Sequence, residues 1–127
     1  MVQYHIPPDL LLTDGPSIPV AVARMRGMAL LDTGADLSSI DIAFAQQLQL
    51  PVRGLHASTG ATGVGEYPQF DAVLEVPLLE TIVPPPLRGL PLRDLGHPWV
   101  AIVGRDVLCQ FEMLINGRTG LIRLERA

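Results

Sequence analysis

Residues 32–36 read Asp-Thr-Gly-Ala-Asp and follow the apolar run Ala29-Leu30-Leu31, which predicts Asp32 at the end of a buried strand. An ionised carboxylate in apolar surroundings loses its hydration, so a protein that keeps one there must surround it with donors or put it to use. Thr33 and Gly34 suit a tight turn whose backbone N–H groups and hydroxyl point back at the acid, Gly34 permitting the close approach. The chemistry open to such a group is general acid–base catalysis, in which one carboxylate takes a proton from water and a second gives one. No internal repeat supplies a second copy of the motif, so a paired site needs two chains about a two-fold axis. Two carboxylates about 3 Å apart at an effective dielectric of ~20 repel by roughly 5 kcal/mol, separating their ionisations by about four pH units. Across that window they share one proton.

Two further segments bear on this site. Ala101-Ile102-Val103-Gly104-Arg105-Asp106 lies near the C-terminal end and reads as a strand running into a short helix at 106–109. Residues 58–65, Ser-Thr-Gly-Ala-Thr-Gly-Val-Gly, are small and glycine-rich and read as a mobile hairpin leading into a half-buried strand. Other chemistries fit poorly. No Gly-Lys-Ser/Thr follows the glycines, so a phosphate loop is not indicated. His5, His56 and His97 are scattered without ligand spacing, so no metal site and no cofactor are expected. Ser38-Ser39 lacks the context of a nucleophile elbow, Asp32-Thr33-Gly34 lacks the second Asp of a metal-dependent phosphatase, and the absence of Lys removes Schiff-base chemistry.

In their order and rough spacing, Asp32-Thr33-Gly34-Ala35-Asp36, the glycine-rich hairpin and Ile102-Val103-Gly104-Arg105-Asp106 resemble the retropepsins, the retroviral-type aspartic proteases. The resemblance spans about residues 18–124; the helix after Ser39 and a Pro-rich loop are more similar to cellular and bacterial single-domain relatives. It implies an all-β acid-protease barrel with one or two short helices, one lobe per chain, acting as a homodimer on a peptide or protein substrate. By resemblance, Asp32 of each chain is catalytic, Thr33 bonds across the dimer axis, Gly34 meets the substrate backbone, and Asp36 pairs with Arg105 to tie the loop to the C-terminal helix. Gly104 would let that loop pack closely, while Ala35 and the flap residues Gly60, Ala61, Thr62, Gly63, Val64 and Gly65 would contact substrate. A second reading keeps the fold as a dimerisation or peptide-binding module with weak or no turnover; the intact Asp-Thr-Gly-Ala-Asp speaks against it.

The elements that must position these residues follow from size and composition. A chain of 127 residues fits a single domain, 1–127, with its own core. Twelve Gly and twelve Pro spread between short apolar stretches favour all-β structure with many turns, helix being the minority. Residues 10–13 and 18–23 read as strands around Asp14-Gly15-Pro16, a turn at 24–27 leads to a strand at 28–31, and Asp41 caps a short helix stopped by Pro51. Alternation at 70–76 predicts one strand, about 80–98 reads as a long irregular Pro-rich loop, and 111–124 as a closing hairpin. That hairpin is the expected dimer contact, because two prolines within residues 1–8 would interrupt pairing in a central strand. A net charge of −4 argues against nucleic acid as a partner. No stretch is long and apolar enough for a membrane segment, and no signal peptide is visible. The lone Cys109 cannot form an internal disulfide, which fits a cytoplasmic setting, and it is expected to be buried packing.

Overall fold

The computed structural model describes the backbone of residues 1–60 and 63–127, with side chains in those ranges except at 58–60, 63 and 64. Among the described residues the elements run β1 (Val2–His5), α1 (Pro8–Asp14), β2 (Ser17–Val22), β3 (Met25–Leu31), β4 (Ser39–Asp41), α2 (Ile42–Gln47), β5 (Val52–Gly60), β6 (Gly63–Phe70) and β7 (Leu74–Val76). A 3-10 turn at Pro77–Leu79 leads to β8 (Thr81–Val83), β9 (Leu87–Leu90), β10 (Ala101–Val103), α3 (Arg105–Leu108), β11 (Phe111–Asn116) and β12 (Leu121–Arg126). The fold is mostly β. Three short α-helices take the place of the one or two expected.

A nine-stranded sheet has the order β5-β6-β9-β4-β10-β3-β2-β7-β8, and a three-stranded sheet the order β1-β12-β11. Among the described residues β5 and β8 end the larger sheet without pairing to each other, so it is open and not a closed barrel. Both sheets share one core: Ile18, Val20, Ile40, Phe70, Leu87 and Val103 from the larger pack with Ile122 and Leu124 from the smaller. No described helix is long and apolar enough to cross a membrane.

Four local readings are corrected. Residues 10–13 are helical, because Pro8 sits in the first turn with its φ preset, Asp9 faces the positive end of the helix dipole, and of Leu10, Leu11 and Leu12 only Leu11 packs on the core. The β2–β3 turn falls at Ala23 and Arg24, both at positive φ (47° and 66°), the twist that suits a two-residue hairpin; neither residue advertises it in the sequence. The strand predicted over 70–76 breaks after Phe70 and resumes at Leu74. The Pro-rich stretch holds β8 and β9, with Leu87 and Gly89 buried in the sheet.

Both chain ends form strands of the smaller sheet. The closing hairpin forms with Asn116 Oδ1 accepting from the N–H groups of Arg118 and Thr119 in the turn. The terminal strand also forms, since Pro7 and Pro8 lie beyond β1, and Val2–His5 pairs antiparallel with β12 of the same chain. Asp41 caps α2 as expected, its Oδ2 accepting from Phe44 N at 2.9 Å. Its other oxygen accepts from Arg93 N at 3.0 Å, which fastens the loop after β9 to the core.

Candidate active site

β10 lies between β3 and β4, parallel to Ala29, Leu30 and Leu31 and antiparallel to Ser39 and Ile40. The chain leaving β3 must therefore cross the C-terminal end of β10 before returning as β4. Residues 32–38 form that crossing, an arch seated on Gly104 and the start of α3. Asp32 N donates to Val103 O at 3.0 Å, Arg105 N to Ala35 O at 2.9 Å and Asp106 N to Asp36 O at 3.1 Å. A Cβ on Gly104 would lie 2.8 Å from the Leu37 carbonyl carbon and 2.9 Å from the Ala35 and Leu37 carbonyl oxygens. With φ at −95°, Gly104 is required for room and not for conformational freedom.

The far end of the arch is fixed by Asp106 and Ser38. The Asp106 carboxylate accepts from Ser38 N at 3.0 Å and Ser38 Oγ at 2.7 Å, and Ser38 Oγ accepts from Gly104 N at 3.0 Å. Ser38 is buried, so each of these bonds replaces hydration that the protein has removed.

At the near end, Asp32 Oδ1 accepts from Gly34 N at 2.8 Å. Within one chain Asp32 is half-buried, and Thr33 and Gly34 are exposed. The acid is thus less enclosed than a buried strand end implies.

Asp36 pairs with Arg88 instead of the expected Arg105: Arg88 Nη2 donates to Asp36 Oδ1 at 2.7 Å. The topology explains the exchange. β9 runs parallel to β4 and sets Arg88 opposite Ser39, close to the arch, whereas Arg105 lies beneath it and donates Nη1 to Thr33 O at 2.7 Å. The guanidinium of Arg88, by hydrogen bond and charge, holds the Asp36 carboxyl below its ordinary value of 3.8, with Leu37 N adding to the effect. Arg105 still ties the arch to α3, through a carbonyl and not a carboxylate.

The glycine-rich hairpin consists of β5 and β6, with His56 opposite Tyr67, Ala57 opposite Glu66 and Gly60 opposite Gly63. The expected flap-tip residues Ala61 and Thr62 lie outside the described residues, as does the side chain of Val64. At Gly65 a Cβ would fall 2.8 Å from the Tyr67 ring, which lies over that glycine. Cys109, expected to be buried, is exposed at the C-cap of α3.

Sequence reasoning missed Ser38, Arg88 and His56 as parts of this arrangement. Asp106, adjacent to Arg105 and in the first turn of a short helix, was the nearest signal for a second anchor; Arg88 carried none. Among the described residues no three His, Cys, Asp or Glu side chains converge as a metal site would require. No protein-family model matches this chain, and no curated protein matches it.

Proposed function

We propose that the chain is a retropepsin-like aspartic endopeptidase that acts as a homodimer, with Asp32 from each chain forming the catalytic pair. The observation that carries this reading is the arch over β10: its carboxylate is held by Gly34 N, its base is locked to Gly104, Arg105 and Asp106, and its outer residues Thr33 and Gly34 are open. A rigid base with an open top suits a site completed by a second copy.

In the working pair one carboxylate is ionised and the other holds the shared proton. Water attacks the scissile carbonyl carbon as the ionised group takes its proton, while the protonated group gives its proton to the carbonyl oxygen. Collapse of the resulting gem-diol breaks the C–N bond as the newly protonated carboxyl gives its proton to the departing amine and the other carboxylate takes one from a gem-diol hydroxyl, which leaves the pair again sharing one proton. Extended peptide would lie between the two arches and the β5–β6 hairpins, backbone to backbone. The exposed lone thiol of Cys109 fits a reducing, cytoplasmic setting.

The test is digestion of a peptide library between about pH 4 and 7 across a range of protein concentrations, with and without a statine-type inhibitor. Cleavage that the inhibitor blocks, and that falls steeply on dilution below the dimer range, supports the reading. A demonstrated dimer that cleaves nothing at any pH would replace it with a non-catalytic binding module of the same fold.

A further inference from the structure

Successive residues of β9 make contacts that reach both halves of the proposed site. Arg88 Nη2 donates to Asp36 Oδ1 of the arch at 2.7 Å, and Gly89 O lies 3.0 Å from Nε2 of His56 on β5. β9 is hydrogen-bonded to a strand on each side. It pairs with β6 through Gln69 opposite Arg88 and Phe70 opposite Leu87, and with β4 through Ser39, Ile40 and Asp41 opposite Arg88, Gly89 and Leu90. Gly89 is buried so tightly that a Cβ there would meet Pro68 O at 2.8 Å and Phe70 and Ile42 at 2.9 Å. β9 therefore lies packed between the root of the hairpin and the arch.

The arch is fastened unequally on its two sides. Toward α3 it is held by the backbone bonds to Arg105 and Asp106, the Ser38–Asp106 bonds and the Arg105 guanidinium. Toward β9, among the described residues, Arg88 to Asp36 is the one side-chain tie. Arg88 retains 24% side-chain exposure and Asp36 retains 66%, so the pair sits at the surface and contributes little to global stability. Its value is geometric.

Resting on the peptidase reading, we propose that Arg88 is a positioning residue that registers the β5–β6 hairpin against the arch carrying Asp32, setting the gap in which an extended peptide binds. Removing the tie leaves the α3-side clamp intact, so Asp32 keeps its place while the peptide loses part of its bed. Binding suffers more than chemistry. A merely structural role would instead lower the folded fraction, which scales kcat and leaves KM alone.

Kinetics on a peptide cleaved by the wild type, with the Arg88→Met and Arg88→Lys variants, and amide exchange on the same proteins, test this. Arg88→Met is expected to raise KM about tenfold with kcat within about twofold, and Arg88→Lys to recover part of the loss because it keeps the charge without the fork. Exchange at residues 65–70 and 36–37 should quicken while that of β11 and β12 stays unchanged. Unchanged KM together with unchanged exchange overturns the proposal, as does a fall in kcat at constant KM. If the wild type cleaves no peptide, the peptidase reading falls and the exchange arm still decides: quickening at both segments supports the coupling, and no change overturns it.

Discussion

Ser38 Oγ donates to Asp106 Oδ1 at 2.7 Å, joining the end of the arch that begins at Asp32 to the first turn of α3. The same hydroxyl oxygen accepts from Gly104 N, so one buried side chain serves the strand end below and the helix beside it. Ser38→Ala leaves the Gly104 N–H buried without a partner, at a cost of about 1–3 kcal/mol. At fixed chain concentration the urea midpoint is expected to fall with the slope unchanged. An unmoved midpoint would mean that water replaces the hydroxyl and that the arch is less tightly seated than these distances imply.

Gly104→Ala isolates a contact from a conformational preference. At φ −95° an alanine backbone is unstrained, so any loss comes from the methyl group pressing on the carbonyls of Ala35 and Leu37. Neither is a flexible side chain, and the arch must lift. Overpacking of this kind costs about 1–3 kcal/mol. Peptide cleavage should fall more than stability does, because the lifted residues adjoin Asp32; denaturant unfolding and turnover measured on one preparation separate the two.

How much of this was legible in the sequence depended on whether the determinant was local. Asp41, three residues before Phe44, and Asn116 at a turn both fix structure within their own neighbourhood, and both read correctly. The Asp-Thr-Gly turn and the glycine before Arg105 were visible for the same reason. The run Leu10-Leu11-Leu12 fits strand or helix equally, and Pro8 decided in favour of helix. Arg88 was illegible because its role depends on the parallel pairing of β9 with β4, which brings together segments far apart in sequence and leaves no periodic trace. The family resemblance pairs Asp36 with Arg105, whereas the arch turns the Asp36 carboxylate toward β9 and away from the helix below.

The Asp36–Arg88 pair has a defined pH sense. A carboxyl held below its ordinary value by a folded-state partner stabilises the fold above the unfolded value, and that contribution is lost as pH falls through the folded value. The tie therefore persists as pH falls toward 3.8 and is lost only below that value. Because Asp36 is largely exposed the effect on global stability is small, so a direct probe is needed. A carboxyl-carbon NMR titration should place the Asp36 midpoint below 3.8 in the wild type and move it upward in Arg88→Gln. An identical midpoint in both would remove the charge interaction.

Cys109 offers a check on α3 that is independent of chemistry at Asp32. The thiol is exposed at the helix C-cap, so a thiol reagent should modify the native protein at a rate near that of the unfolded chain. Strong protection that disappears on dilution would place this end of α3 in the contact between copies.

Asp32→Asn separates the fold from the reaction, because the amide keeps an oxygen to accept from Gly34 N and loses only the ability to ionise. Unfolding should shift by no more than about 0.5 kcal/mol while cleavage falls by about 10²–10⁴-fold. The sharper form of the experiment mixes the two chains. If two Asp32 side chains make one site, co-refolded mixtures retain activity as the square of the wild-type fraction, so an equal mixture keeps about a quarter. If one Asp32 suffices, the same mixture keeps about half. A linear response across the series would make the half-exposed carboxylate of a single chain a complete site and dispense with the second copy, whereas a quadratic response requires both.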